Sequence, residues 1–283
     1  MEPGKPSLMA EGTALFRAAH QIIDDDPKIL SDPLALTILG TTAEEIEADR
    51  DRLSRPYLVQ ARTLTVMRSR YTEDQLTTSI SRGVTQYVVL GAGLDTSPYR
   101  GSHLAGPLSI YEIDHPDTQR WKLECLGKAC IETPGNLKHV AIDFEHETLA
   151  DGLARSGFDR DQPTFFSWLG VMYYLRRESA LSTFRYIAEL PAGSQVVLDF
   201  MLDDASLDEA RRESVQKASE YVESIGEPWL TRYSATELEK VLRDIGFNQV
   251  TYFSNELATD RYLAGRSDDL SLDPLIQMMS AAV

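Results

Sequence analysis

VVLGAGLDTSPYR, residues 88–100, runs from an apolar triplet into a Gly-Ala-Gly turn and then an Asp-Thr pair. An apolar run ending in Gly-x-Gly reads as a buried strand turning into a helix. Gly91, Ala92 and Gly93 then form the turn that lets a ligand approach the backbone at the helix start. A dinucleotide fingerprint asks for a third glycine three residues after the second. Thr96 holds that place here, and Asp95 stands where a diphosphate would lie and would repel it. A tight βα turn with no ligand is the plain alternative, so the neighbouring strands have to decide.

Downstream, short β-branched or aromatic runs alternate with helical ones: TQYVVLG, LSIYEID, LKHVAIDF, TFFSWLGV, SQVVLDF and NQVTYFS. The first five are mostly apolar throughout, as suits strands buried on both faces of a parallel sheet. RESALSTFRYIAEL and SATELEKVLRDIG read as helices between them. This alternation predicts an α/β fold with a doubly wound, mainly parallel sheet. After the last helix, NQVTYFS and the short TDRYLAG predict an antiparallel hairpin at the sheet edge. Upstream, AEGTALFRAAHQII and PYLVQARTLTVMRSRYTEDQLTTSI carry apolar residues at helical spacing, with a turn at Asp32-Pro33. Residues 1–83 are therefore expected to form a helical N-terminal cap over the strands' carboxyl ends, and residues 84–283 the sheet unit.

The 283 residues carry 28 Lys and Arg against 44 Asp and Glu, a formal charge of −16 that disfavours nucleic acid and anionic membranes as partners. MEPGKPSLMAEG has no basic region leading into an apolar run, and no stretch approaches a membrane span. A soluble cytoplasmic protein is expected. Cys125 and Cys130 fall on different faces of a helix-like segment, which reads as two reduced thiols rather than a bridge. Composition leaves the oligomeric state open.

Asp114, ending LSIYEID 21 residues after Gly93, sits where an adenosine ribose presents its two hydroxyls. Its alternative role is a cap for the following helix. Asp143, at the tip of the third strand, can accept from an adenine amine, and Phe144 can flank the base; capping of the next helix competes here too. Together the three strand ends favour a nucleoside. No basic residue in the turn points to phosphate, so the expected ligand is an adenosine without phosphates, with S-adenosylmethionine the cofactor of that description.

VVLGAGLDTSPYR, YEIDHPDTQ, VAIDF and FFSWLGVMYYL, with the N-terminal TALFRAAHQIIDDDPKILSDPLAL, resemble in order and spacing the leucine carboxyl methyltransferase family. The closer likeness is to its bacterial branch of class I S-adenosylmethionine-dependent O-methyltransferases, from about Thr13 to about Gly265. The resemblance implies a seven-stranded Rossmann-like sheet with an antiparallel last hairpin and a helical cap. It places Gly91, Ala92, Gly93 and Leu169 against the cofactor, Asp114 on the ribose, and Asp143 with Phe144 at the adenine. An arginine before the first strand would grip the cofactor's carboxylate; Arg68 matches best and Arg62 second, the alternative for either being a solvated helix face. Leu169 stands where eukaryotic members have glutamate, so their protein substrate is not carried over. Arg176 and Arg177 open the helix after the fourth strand, where bacterial relatives often have a Thr or Ser cap.

Methyl transfer from a sulfonium is an in-line displacement governed by alignment. A carboxylate acceptor is already ionised at neutral pH, whereas a phenol benefits from a base. GVMYYLRRES contains no histidine, and His20, His103, His115, His139 and His146 read as packing or surface residues. A small-molecule or peptide carboxylate is therefore the expected acceptor, bordered by Tyr173 and Tyr174, without a catalytic base or a metal. The alternatives are a nicotinamide-dependent oxidoreductase and an adenosine-binding regulatory module without catalysis.

Overall fold

The computed structural model describes residues 7–100, 108–144, 146–224 and 226–283; His103 lies outside them. Seven strands form one sheet: β1 (Gln86–Leu90), β2 (Ser109–Asp114), β3 (Leu137–Ala141), β4 (Thr164–Trp168), β5 (Gln195–Met201), β6 (Gln249–Phe253) and β7 (Ile276–Ala282). Their order is β3-β2-β1-β4-β5-β7-β6. β1 to β5 run parallel, and β7 is antiparallel to both β5 and β6.

β1 shows why the central strands are apolar on every residue. Val88 and Leu90 point into one core, shared with Phe166, Trp168, Val196 and Leu198, and Tyr87 and Val89 into the other, with Ile110, Phe165 and Val197. The first core is covered by α8 (Leu149–Ser156), α9 (Arg177–Ala188) and α11 (Ala235–Ile245), and the second by the long α5 (Pro56–Ser81). β3, at an edge, is less enclosed: Lys138 is exposed while Leu137 and Val140 are buried.

The hairpin expected from TDRYLAG is corrected. Thr259–Leu263 is a wide helical turn following the short α12 (Asn255–Ala258), and the partner of β6 is β7, IQMMSAA near the chain end. β7 is buried from Gln277 to Ala281 because it inserts between β5 and β6 instead of standing outside them. Residues 264–275, which lead into β7, form no helix, so the alternation does not mark it as a strand.

α1 (Leu8–Ile23), α2 (Ala35–Leu39), α3 (Ala43–Ala48) and α4 (Arg50–Leu53) precede α5, and α1 packs on α2, α3 and α5. Ala10 of α1 sits 3.1 Å from where a Cβ on Gly93 would stand, so the helix rests on the glycine turn at the carboxyl end of β1. The start of α1 is held by Glu227, which accepts from the Leu8 N–H at 3.0 Å and the Ser7 hydroxyl at 3.3 Å. Among the described residues no helix is long and apolar enough to cross a membrane.

Candidate functional site

In an open α/β sheet the crevice for a ligand opens at the carboxyl ends of the strands where their order reverses. Here that point lies between β1 and β4, because β2 follows on one side of β1 and β4 on the other. Gly91, Ala92 and Gly93 leave β1 in a turn pinned by Gly91 and Ala92 N–H groups donating to the Ile113 carbonyl at 2.8 and 3.0 Å. Gly91 (φ 70°) admits no side chain: a Cβ there would lie 2.2 Å from Val171 Cγ2, on the turn that follows β4. The Ala92 side chain is buried in the core, leaving its backbone to line the turn.

Asp114 meets this turn from β2. One oxygen accepts from Gly93 N–H at 2.5 Å and the other from His115 N–H at 2.7 Å. A carboxylate has about four lone-pair sites, so two remain for further donors. Burial pushes its pKa up to about 6, against the pull of the two backbone donors. Asp114 is not the cap of α7 (Pro116–Lys128); that cap is His115, whose Nδ1 accepts from Asp117 N–H. Asp143 likewise does not cap α8, which opens on a Thr148–Asp151 capping box. Asp143 accepts from His146 Nδ1 at 2.8 Å and lies 3.9 Å from His115 Nε2, and Phe144 packs on the core beside it. His115 therefore stands between the tips of β2 and β3.

The two arginines differ, and neither is a solvated helix face. Arg62 is buried and forks onto Asp24 with three contacts of 2.8–3.1 Å, with a fourth bond to the Leu53 carbonyl. It ties α5 to the segment after α1. Arg68, nearly two turns on, reaches the tip of β4: Nη1 donates to Asp199 Oδ2 at 2.6 Å, and Asp199 Oδ1 accepts from Gly170 N–H at 2.7 Å. Burial opposes the Arg68 charge, but the Asp199 carboxylate and the adjacent Tyr173 hydroxyl hold its pKa above the ordinary value. Asp199, mid-strand in β5 and fully buried, was not legible as a site residue. A lone acid in an apolar strand, SQVVLDF, was the available signal.

Leu169 is half-buried against the core beside Gly170. Tyr173 and Tyr174 follow, their rings 4.8 Å apart. Burial first, then the Asp199 carboxylate, drives the Tyr173 phenol well above its usual pKa, and burial pushes that of Tyr174 up to about 12. Both phenols are neutral at pH 7. The backbone carbonyl of Tyr173 accepts from Leu230 and Thr231 N–H at 2.7 and 3.2 Å, which brings the loop after α10 (Glu209–Ser224) over this turn. α9 opens on Arg176 without a side-chain cap.

Folding does bring cations beneath the glycine turn, but each is already engaged. Arg17 bonds Asp32 at 2.9 Å and the Leu94 carbonyl at 2.5 Å; Arg100 bonds Glu73 at 2.6 Å and Thr96 Oγ1 at 2.9 Å. Asp95 accepts from Ser97 N–H and hydroxyl, both at 2.9 Å, and its buried carboxylate is held below its ordinary pKa by Arg17, Lys122 and Arg100 against the cost of burial. No free cation faces a diphosphate among the described residues of the turn. Nor does any group of three or more His, Cys, Asp or Glu among the described residues have an arrangement fit for a metal. His20 is buried; its Nε2 faces the Ile29 and Leu30 N–H groups at 3.1 and 3.4 Å and its Nδ1 faces Asp24 at 2.7 Å, so it braces the cap. Cys125 and Cys130 are both free thiols.

The turn and the two carboxylates, with no free cation for a diphosphate among the described residues of the turn, suit an adenosine without phosphates. Among solved structures, a methyltransferase candidate from Thermobifida fusca YX shares the fold, with a TM-score of 0.57 at 17% identity, covering 99% of this chain and 96% of its own. A protein of the DUF574 family from Streptomyces avermitilis MA-4680 does so with a TM-score of 0.56 at 14% identity, over 95% and 96%. Among curated relatives, YktD of Bacillus subtilis (strain 168), provisionally named an S-adenosyl-L-methionine-dependent methyltransferase, is 31% identical over 241 residues, 84% of this chain and 79% of its own length. The family model described as leucine carboxyl methyltransferase matches residues 10–188, from α1 through α9, stopping short of the Gly265 expected from motifs alone. The chain belongs to the leucine carboxyl methyltransferase family.

Proposed function

We propose that this protein transfers the methyl group of S-adenosylmethionine to a carboxylate oxygen of a small molecule or peptide. The methyltransferase class rests on family membership, which removes the nicotinamide-dependent alternative. The observation that carries the carboxylate is the chemistry of the turn after β4. Residues 169–176 contain no histidine or lysine, both tyrosines there are held neutral, and Asp199 is already bonded to Arg68 and Gly170. An acceptor that must lose a proton finds no base in that turn; a carboxylate needs none.

When bound, the cofactor supplies an electrophilic methyl group on a sulfonium. The chain's own residues position it: Gly91 and Gly93 offer backbone at close range, Asp114 accepts from the ribose hydroxyls, Asp143 and Phe144 border the adenine, and Arg68 faces the amino-acid carboxylate. Leu169 stands against the cofactor, Tyr173 and Tyr174 line the acceptor side, and the helices up to residue 83 cover the crevice and exclude water. Holding the reactants in line is the main source of acceleration in such a site.

Two measurements test this. Calorimetry should show binding of S-adenosylhomocysteine and none of NAD; the reverse result sinks the reading. Incubation with cofactor labelled in the methyl group and extracts as the acceptor source should yield a product that releases labelled methanol in mild alkali, as an ester does. A label that survives alkali is an ether or amine product and moves the acceptor to a phenol or nitrogen. Cofactor bound but never consumed would favour a regulatory module.

A further inference from the structure

The proposed hold of Arg68 on the cofactor raises a physical difficulty that Asp199 resolves. A guanidinium on a long side chain must be held in one orientation to meet a carboxylate with two parallel bonds. Nothing on α5 itself provides this. Arg68 crosses from α5 to the tip of β4, where the glycine at 170 makes room: a Cβ there would lie 2.8 Å from Nη2 and 3.1 Å from Nη1. Gly170 has φ 73°, so the backbone as well as the space asks for glycine. Asp199 then takes one end of the guanidinium, Oδ2 to Nη1 at 2.6 Å, and with Oδ1 accepts the Gly170 N–H at 2.7 Å. The carboxylate is inaccessible to solvent and lies inside the sheet, so it does not itself face the crevice.

We infer that Asp199 is the positioning residue of the cofactor site, holding Arg68 so that the remaining edge of its fork presents to the amino-acid carboxylate of S-adenosylmethionine. One carboxylate thereby locks two elements: the arginine on the cofactor side, and the turn after β4 that carries Val171, Tyr173 and Tyr174 on the acceptor side. It also neutralises the Arg68 charge before any ligand arrives, so the arginine can stay buried in the empty site. The inference rests on the reading that Arg68 meets the cofactor's carboxylate.

The test compares two ligands that share the adenosine and the sulfur: S-adenosylhomocysteine, which carries the amino-acid carboxylate, and 5′-methylthioadenosine, which lacks it. Asp199→Asn keeps an oxygen for the Gly170 N–H but turns an NH2 toward Nη1, where two donors cannot bond. Its affinity for S-adenosylhomocysteine should fall at least tenfold while that for 5′-methylthioadenosine changes less than twofold. Equal losses for both ligands would make Asp199 a fold residue only. Tighter S-adenosylhomocysteine binding would mean that Asp199 competes for the arginine instead of aiming it; either result overturns the inference. If Asp199→Asn alone does not fold, the double variant Arg68→Met with Asp199→Asn removes both buried charges together. Its affinity ratio should equal that of Arg68→Met alone; a further drop in the double variant overturns the inference, because Asp199 would then act other than through Arg68. Arg68→Lys separates the underlying reading: unchanged discrimination between the two ligands there shows that the carboxylate is held elsewhere.

Discussion

Asp114 carries a burden that a ligand can relieve. Its carboxyl is buried enough to raise its pKa from the ordinary value near 4 to about 6 despite two backbone donors. A carboxyl with a raised folded pKa holds its proton longer in the folded state, so ligand-free stability falls as pH rises from about 4 to about 6. If Asp114 holds the ribose as proposed, the ribose hydroxyls donate to the ionised form, and the affinity for S-adenosylhomocysteine should rise with pH through about 6 and level off above. Titration calorimetry from pH 5 to 8 checks this, and Asp114→Asn should flatten the profile even with His115 left in place. Asp114→Ala should weaken binding by about 1–3 kcal/mol, the worth of charged hydrogen bonds, while changing ligand-free stability less. Arg62 belongs to a different problem. Its removal takes the arginine from a buried ion pair and leaves His20 against the Asp24 carboxylate; breaking a buried pair in this way costs about 3–5 kcal/mol. Arg62→Ala should therefore lower the midpoint of denaturant unfolding strongly, yet preserve the ratio of affinities for S-adenosylhomocysteine and 5′-methylthioadenosine. A lost ratio with an unchanged midpoint would place Arg62, not Arg68, at the cofactor.

The turns after β1 and β4 work as one unit. Gly91 abuts Val171 so closely that an added methyl group would overlap it, and a β-branched valine has little freedom to turn away. The positive φ of Gly91 adds backbone strain for any other residue. Gly91→Ala should cost about 1–3 kcal/mol, the usual range for overpacking, and should disturb acceptor turnover as well as cofactor affinity because Val171 leads directly to Tyr173. Adding Val171→Ala should recover part of the stability, the steric part, and leave the strain. If the second substitution recovers nothing, the contact between the two turns contributes nothing to the defect. This coupling was only half legible beforehand: the glycine turn announces close approach, but not what approaches it.

Across the molecule, the crevice lies under the start of α1. Ala10 rests against Gly93, and Glu227, from the far part of the chain, accepts from the first residues of the helix. Both contacts are only partly buried and few residues hold them, the character of segments that open locally. Amides in the first turns of α1 should exchange with solvent faster than those of β1, β4 and β5, and S-adenosylhomocysteine should slow them. Hydrogen-exchange mass spectrometry reads this directly. Protection equal to that of the central strands without ligand would show that α1 is a fixed wall and that the cofactor enters elsewhere.

What the amino-acid order determined alone was the alternation of elements and the place of a glycine turn and two acids at three strand ends. Apolar runs such as YVVL admit little but a strand buried on both faces, and Gly-Ala-Gly followed by a distant Asp114 marks where one strand ends and what the next delivers. These are local signals, set by side-chain period and backbone freedom. β7 escaped because IQMMSAA becomes a buried inner strand only once β5 and β6 stand on either side of it. Arg62 and Arg68 lie on one helix with similar neighbours, and nothing local separates them. Their fates differ because the chain folds Asp24 onto one and Asp199, 131 positions away, onto the other. The capping roles of Asp114 and Asp143 were equally undecidable until His115 and Thr148 were seen to cap those helices. Partner choice for a buried charge is a long-range property, because what satisfies it is whichever group the tertiary structure brings within about 3 Å.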